Sequence, residues 1–555
     1  MSRCTRWALV CRHWAAVGIT VVIVGCSGSS LPSADRTPSA STPQAADPST
    51  PATDIENGDD VDLTGESSFI ALPGEVIVDA TASVPFDRRL LGTNVPAWIG
   101  PERLADPDFQ SETVASGASV LRMPGGSWSN AYDWLGCELG DDSRCFWTWA
   151  ARPTDFIDFL QATDLDGMWT VSINETAQAA AAAVAFFNGD PDDTTEIGVD
   201  RNGVEWETVG TWARLRADGG NPDPIGIDLW EVGNEVYGGK PAGGGAECAD
   251  FGWEEVWTCD GAEYVAGTDD NDGYLQIRAA MVAVDPDIEV GAVGVAGPGE
   301  WTNWGNEVID GAAGELDFYV VHDYGFDASP SVADALDRPA QLWPDVLGQV
   351  TAALPDDVPV AVTEYNLVSF EAGDTERTMT SALNALFIAD SIGQIARSGA
   401  SIANQWNLAN GVTSSGTDYG MIDLDDGARR PQFEALQAWS SAGTSLFGAA
   451  VGDDDLRVYP TRHDDGSWTL IVISLTSSDR SVSFTVPDIV PESTIEVTVA
   501  SAADLTATSI DLATSSVDVS ADPEATPPTI EVPGHSILTI DVPSDASATE
   551  SAIDG

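Results

Sequence analysis

Two glutamates stand where short apolar runs stop. Ile227-Asp-Leu-Trp-Glu-Val-Gly-Asn-Glu235 reads as a buried strand that ends in an acid, and Val360-Ala-Val-Thr-Glu364-Tyr-Asn ends in a similar way. The first run is β-prone at Ile227, Leu229, Trp230 and Val232, then breaks at Gly233 and Asn234 before the glycine-rich 238–245. A carboxylate fixed where a strand meets a loop is rigidly held yet faces the open end of a sheet. Two carboxyl groups about 5 to 5.5 Å apart permit one to attack an anomeric carbon while the other protonates the leaving oxygen, with retention through a covalent intermediate. In a chain with 89 acids, a lone strand-final acid is usually an N-cap or a solvated charge, so the matched pair carries the reading. Glu231 shares a side of its strand with Glu235 and is its rival. Its deeper position reads as a charge paired inside the structure.

Such a pair needs a scaffold that brings two strand ends face to face. Between about Leu90 and Ser440, short apolar runs alternate with longer helical segments, the pattern of a parallel sheet with crossover helices. The runs at 90–94, 120–123, 169–173, 227–233, 288–293, 318–322, 358–363 and 401–406 make eight strand candidates, the number that closes a barrel. Helices are expected at 177–187, 273–284, 335–354 and 378–398. A doubly wound open sheet gives a similar alternation. The clustering of polar residues just where the strands stop favours a (β/α)8 TIM barrel, in which the ends of strands four and seven face each other across the mouth. After Ser445 short β-prone runs take over at 468–475, 481–486, 493–500 and 536–542, predicting an antiparallel β-sandwich. Phe69–Leu72 and Val76–Ala80, joined by Pro73-Gly74, are expected as two strands that join it. The predicted organisation is therefore 67–88 strands of the sandwich, 89–444 barrel, 445–545 sandwich and 546–555 a frayed tail.

The N-terminal 26 residues carry Arg3, Arg6 and Arg12, then an apolar stretch from Trp14 to Val24, which is an export signal rather than a spanning helix. Ile23-Val24-Gly25-Cys26 resembles the lipobox of bacterial lipoproteins, implying cleavage before Cys26, lipid on its sulfur and an extracellular protein tethered to the outer face of the membrane. Residues 27–66, rich in Ser, Thr, Pro, Ala and Asp, read as a flexible tether. Of seven cysteines, Cys4 and Cys11 leave with the signal. The spacing of the last four suggests disulfides Cys137–Cys145 and Cys248–Cys259, suited to an oxidising exterior. A zinc site is the alternative, but there is no tight Cys-x-x-Cys pair and the four histidines are scattered, so no metal is expected. With Lys+Arg 23 against Asp+Glu 89, and Lys240 the sole lysine, the net charge of -66 disfavours nucleic acid and anionic lipid surfaces as partners.

Several segments together are recognisable. Trp230-Glu-Val-Gly-Asn-Glu235 resembles the acid/base motif of the retaining (β/α)8 glycoside hydrolases whose glutamates follow strands four and seven. Val120-Leu-Arg-Met-Pro-Gly-Gly-Ser-Trp-Ser-Asn-Ala-Tyr-Asp-Trp134 looks like the strand-two motif of the family-51 α-L-arabinofuranosidases. Phe318-Tyr-Val-Val-His322-Asp-Tyr324 looks like their strand six, Ala403-Asn-Gln405-Trp-Asn407 their strand eight, and Val532-Pro-Gly-His-Ser-Ile-Leu538 the last strand of their sandwich. Gly-Asn-Glu alone is a weak signal, whereas five motifs in the right order are a specific one. The resemblance implies Glu235 as acid/base and Glu364 as nucleophile, with no cofactor. Asn234 would bond the sugar hydroxyl beside the reacting carbon, and Arg122 would hold Glu364 ionised, since a nearby guanidinium depresses a carboxyl pKa. His322 and Tyr324 would position the nucleophile or touch the sugar, and Gln405 and Trp406 would contact it from strand eight.

Departures bear on the sugar. Family-51 enzymes carry a glutamate after strand one where this chain offers Asn94, and Ser127 replaces an expected asparagine after Pro124-Gly-Gly. Thr363-Glu-Tyr-Asn366 looks more like family-39 xylosidases or family-44 endoglucanases. Trp98, Trp128, Trp134, Trp147, Trp149, Trp253, Trp257, Trp301 and Trp304 all fall after strands, where an indole can stack on a sugar ring, about half of them being expected in the core. The loops 135–150 and 236–268 are expected to wall a cleft. The expected activity is that of a secreted retaining glycosidase on oligo- or polysaccharide, an α-L-arabinofuranosidase first. An endo-β-glycanase or β-xylosidase of the same clan is the alternative, or a glycan-binding lipoprotein that no longer turns over.

Overall fold

The computed structural model describes residues 69–239, 253–522 and 526–544. After β1 (Glu75–Pro85), the chain builds a closed barrel of eight parallel strands: β2 (Gly92–Asn94), β3 (Val120–Met123), β4 (Asp166–Val171), β5 (Leu229–Val232), β6 (Glu289–Val293), β7 (Phe318–Phe326), β8 (Val360–Val368) and β9 (Ile402–Gln405). Closure is made by β2 on β9, where Gly92 pairs with Asn404 and Thr93 with Gln405. All eight runs read from the sequence are strands, and they close rather than remaining an open sheet.

The period of two along each strand sorts the side chains into layers. Val120, Met168, Leu229, Phe318, Val320, Ala361 and Ile402 form a separate apolar plug within the barrel. Their chain neighbours Leu121, Trp169, Trp230, Tyr319, Val321 and Val362 join the larger core beneath the helices. Two residues further along the strands, toward the C-terminal mouth, the plug gives way to Arg122, Thr170, Glu231 and His322, all buried. An apolar floor thus carries a polar layer at the mouth.

The helices follow their sequence patterns with two differences. Ala177–Asn188 is capped by Thr176, whose Oγ1 accepts the Ala179 N–H at 3.2 Å. The single helix expected at 335–354 is two, Val332–Asp337 and Pro339–Thr351, because Pro339 is suited to open a helix rather than continue one. The helix expected from Thr378 begins at Ala382. Thr378–Thr380 is instead a tight turn whose first two N–H groups, at Thr378 and Met379, donate to Asp374 at 2.8 and 3.0 Å. Ala382–Arg397 is buried on nearly every side, as a helix must be when it lies between two layers.

Eight strands follow the barrel: β10 (Ser445–Val451), β11 (Leu456–Arg462), β12 (Trp468–Ser474), β13 (Arg480–Thr485), β14 (Thr494–Ser501), β15 (Asp511–Asp518), β16 (Thr529–Val532) and β17 (Ser536–Val542). With β1 they form nine strands in the order β15-β14-β17-β12-β11-β10-β1-β13-β16. β1 lies antiparallel to β10 and parallel to β13, so a strand from before the barrel completes the sheet built after it. Val76, Leu470, Val482, Val497, Ile530 and Ile540, from six strands, meet in one core, which folds the sheet over itself as a sandwich. Phe69–Leu72 is not the strand expected: Ile70 and Leu72 are exposed and regular structure starts at Glu75 after the Pro73-Gly74 turn. Tyr459 of β11 bonds Asp390 of the helix Ala382–Arg397 and lies under the Arg397 guanidinium, joining sandwich to barrel. The Cys137–Cys145 disulfide is present. Cys259 is also disulfide-bonded, and Cys248, its expected partner, lies outside the described residues, as do Cys26 and its flanking segments.

Candidate active site

Arg122, on β3 and wholly buried, joins the ends of four strands. Its Nε donates to Glu231 Oε2 at 2.6 Å and its Nη2 to Asn234 Oδ1 at 2.9 Å. Its Nη1 donates to both Asn94 Oδ1 at 2.7 Å and Glu364 Oε1 at 2.9 Å. A buried guanidinium is tolerated when its fork is filled by carboxylates and amide oxygens, as here. Glu231 is spent on this ion pair and on the hydroxyls of Thr170 and Thr363, both at 3.2 Å. Asn94 is likewise committed inside the barrel: it is fully buried and its amide donates to the Thr363 carbonyl at 2.9 Å, so it supports Arg122 rather than lining the mouth.

Glu364 reaches this layer because β8 is irregular. Val321 pairs with Val362, but His322 pairs with Glu364, leaving Thr363 as an extra residue; the pairing with β9 shifts across the same stretch. Simple alternation would set Glu364 on the helix side with Val360 and Val362. The bulge turns Thr363 and Glu364 both inward, the re-aiming such irregularities provide. Glu364 Oε2 also accepts the Tyr324 hydroxyl at 2.9 Å.

Glu235 lies beyond the end of β5 in left-handed backbone, φ 43 and ψ 38, a conformation that is costly for a glutamate and that its surroundings must hold. Its Oε1 accepts the Tyr237 hydroxyl at 3.1 Å and its Oε2 the Trp253 indole N–H at 2.6 Å. His322 Nδ1 lies 3.0 Å from Glu235 Oε1 and 3.7 Å from Glu364 Oε2. The other imidazole nitrogen, Nε2, lies 2.8 Å from Thr363 Oγ1, whose own proton goes to Glu231, so Nε2 is the donor there. The second proton of an imidazolium then falls between Nδ1 and Glu235. One oxygen each of Glu235 and Glu364 and a nitrogen of His322 lie within 4.8 Å of one another. These side chains also have metal-ligand spacing, although both carboxylates already accept several protein N–H or O–H donors.

Burial is the largest influence on all three groups, and neighbouring charges and hydrogen bonds reverse it at His322 and Glu235 but not at Glu364. It drives the His322 imidazole down, but the charges of Glu364 and Glu235 outweigh it and leave it above its ordinary value. Burial drives the Glu235 carboxyl up, yet His322, Trp253 and Tyr237 bring it below. Glu364 is pushed up by burial and by the charge of Glu235, more than His322 and Arg122 pull it down. Arg122 does pull Glu364 down, as expected, but burial and the charge of Glu235 outweigh it. The pair is reciprocal: a proton on Glu235 removes one of the charges that raise Glu364.

Two aromatic groups form after the strand ends, and one of them reaches Glu235 through Tyr237 and Trp253. Trp98, Trp128, Trp147 and Trp406 form one, with Trp128 stacked on Trp147 at 3.8 Å and Trp98 edge-on to both Trp128 and Trp406. Gly126 must lack a side chain there, since a Cβ would meet the Trp406 ring. Tyr237, Trp253 and Trp301 form the other. Trp134 and Trp304 are core, their indole N–H groups bonded to the carbonyls of Ala179 and Val293. Gln405 is fully buried and its amide N–H reaches the Tyr419 carbonyl at 3.4 Å. Tyr237, Thr363 and Asn130 went unread in the sequence, as did Glu254, which accepts hydrogen bonds from Ser127 and Asn234 on Oε1 and Asn130 on Oε2, at 2.6, 3.0 and 2.8 Å. Its only sequence signal is its place in the long loop after β5, among many other acids.

The architecture so defined is a (β/α)8 barrel with a β-sandwich and a carboxylate pair across its mouth. No family model and no curated protein matches the sequence. Solved structures do match in fold. A thermostable family-51 α-L-arabinofuranosidase from Thermotoga petrophila is 17% identical, covers 84% of this chain and 100% of its own, and superposes with a TM-score of 0.65. An α-L-arabinofuranosidase from Thermotoga maritima in complex with arabinose gives 17% identity, 84% and 99% coverage and 0.64. A family-44 xyloglucanase from Paenibacillus polymyxa gives 12%, 85% and 100%, and 0.56.

Burial, followed by the charge of Glu235, raises the Glu254 carboxyl to about 8. A carboxyl raised on folding costs nothing below its unfolded pKa near 4.5 and progressively more as pH rises through the folded value. Thermal stability should therefore fall between about pH 5 and 8, by on the order of a few kcal/mol from this group. Glu254→Gln should flatten the curve across that window. An identical slope in wild type and variant would contradict the assignment.

Proposed function

We propose that the protein is a retaining glycoside hydrolase acting on oligo- or polysaccharide, with Glu364 as nucleophile and Glu235 as acid/base. The observation that carries this is the spacing of the pair: their oxygens fall within 4.8 Å, near the separation retention uses and too close to admit a water between them in line with the bond. A Glu364 oxygen attacks the anomeric carbon as the bond to the leaving oxygen breaks, and that oxygen takes the proton shared by Glu235 and His322. Water then attacks the glycosyl-enzyme bond, Glu235 takes its proton, and Glu364 departs as carboxylate. Tyr324 and Arg122 aim the nucleophile. Asn234 has one amide hydrogen beyond the bond to Glu254 and can offer it to a sugar hydroxyl.

An α-L-arabinofuranosidase is the activity favoured by the strand motifs and by the family-51 structures of like fold. A β-glycanase is the second reading, favoured by the buried amide of Asn94 where family-51 enzymes have a glutamate and by the likeness to a xyloglucanase. The signal sequence and lipobox support export and lipid anchoring at Cys26.

A panel of aryl glycosides and polysaccharides separates these readings; no hydrolysis of any, with glycan binding intact, would overturn the enzyme. Glu235→Ala should lower kcat by roughly 10²- to 10⁴-fold. Glu364→Ala should abolish turnover, and azide should partly restore it as the inverted glycosyl azide. Azide rescue of Glu235→Ala to an inverted product would mean that the roles are exchanged. Labelled palmitate should enter the wild-type protein and not Cys26→Ser; equal labelling of both contradicts the anchor.

A further inference from the structure

Glu254 stands outside the pair yet is tied to both sides of it. It is 1% exposed, and three side chains from two other segments close on it. Asn130 completes a ring: its amide also donates to the Asn234 carbonyl at 2.7 Å, and its Oδ1 accepts the Asn234 N–H at 3.1 Å. Asn234 is the residue before Glu235 and takes Arg122 on its own Oδ1. On the other side, Trp253 precedes Glu254 and donates to Glu235, while the N–H groups of Trp253 and Glu254 both reach the Gly238 carbonyl. The backbone before Glu235 thus meets the Glu254 carboxyl, and the indole on the Glu235 carboxylate belongs to the residue next to it in the chain. Ser127 alone among its partners has a hydroxyl that can receive a proton from Glu254, and the amide nitrogens of Asn130 and Asn234 can only donate.

We propose that Glu254 is a positioning residue for Glu235, holding Asn234 and the Trp253 indole so that the Glu235 carboxylate stays against His322 in its strained backbone. The inference rests on the acid/base reading of Glu235 for its consequence in turnover, but not for its geometry. The titratable groups facing Glu254 are Glu235 and Tyr237, with Arg122 behind Asn234. Below about pH 8 Glu254 is protonated, so removing it there changes hydrogen bonds and not charge.

The test follows His322 by imidazole ¹⁵N shifts, assigned by loss of the signal in His322→Asn. In Glu254→Ala, a loosened Glu235 should let the His322 midpoint fall toward the ordinary imidazole value of 6.5. An unchanged midpoint in the folded variant overturns the proposal. Turnover gives the second readout: kcat on a 4-nitrophenyl glycoside should fall about 10-fold or more, and on the 2,4-dinitrophenyl glycoside, whose leaving group needs little protonation, about 3-fold or less. Equal losses on both would also overturn it. Should Glu254→Ala fail to fold, Glu254→Gln, which sets an NH2 against the donor N–H of Asn234 or Asn130, and Ser127→Ala should lower the midpoint in the same direction, and no change in both decides against it. If Glu235→Ala itself loses both substrates equally, the acid/base reading fails separately, and the His322 midpoint still judges Glu254.

Discussion

A guanidinium without solvent contact is the constraint around which the mouth of this barrel is arranged. Arg122 is stable where it is because Glu231 neutralises it and Asn94, Asn234 and Glu364 complete its fork. Its partners come from β2, β8 and the end of β5, which supplies both Glu231 and Asn234, so with β3 the cation fixes the relative positions of four strands. It also sorts the acids. Glu231, deepest and closest at 2.6 Å, is consumed by the pairing, while Glu364 has one oxygen on the cation and the other directed to Tyr324. Glu235 does not touch the cation and is governed by His322.

Much of the scaffold was legible because it rests on periodicity. All eight barrel strands announce themselves as short apolar runs, and inward positions two residues apart lead from the plug at Leu229 to Glu231, or from Val320 to His322. The edge strand Asp511–Asp518 was not legible, for its side chains are almost all exposed and no face alternates. Nor was the break at Pro339, where two short helices follow one another closely enough to look like one pattern.

The candidate site was readable in its members more than in its wiring. Strand-end position marked Glu235, Glu364 and His322, and the family resemblance marked Arg122, yet the same alternation that finds strands would turn Glu364 to the outside, and only the extra Thr363 brings it in. A bulge depends on pairing with neighbours far along the chain, which local sequence does not encode. The rise of Glu364 also depends on three dimensions, because the sequence cannot show how deeply its carboxyl is buried or how near Glu235 stands to it. Glu254 was missed for a related reason: an acid near a glycine-rich stretch looks solvated until its carboxyl is seen to take Ser127, Asn130 and Asn234.

Together these features describe a mouth in which one acid is cradled by proton donors, the other is aimed by a phenol and a guanidinium, and a histidine lies between them. What this arrangement uniquely requires is the stereochemistry of its product. Hydrolysis of an active aryl glycoside followed by ¹H NMR from the first seconds should show a sugar whose anomeric configuration is that of the substrate, with the other anomer arising only later by mutarotation. A first-formed product of inverted configuration would contradict the account.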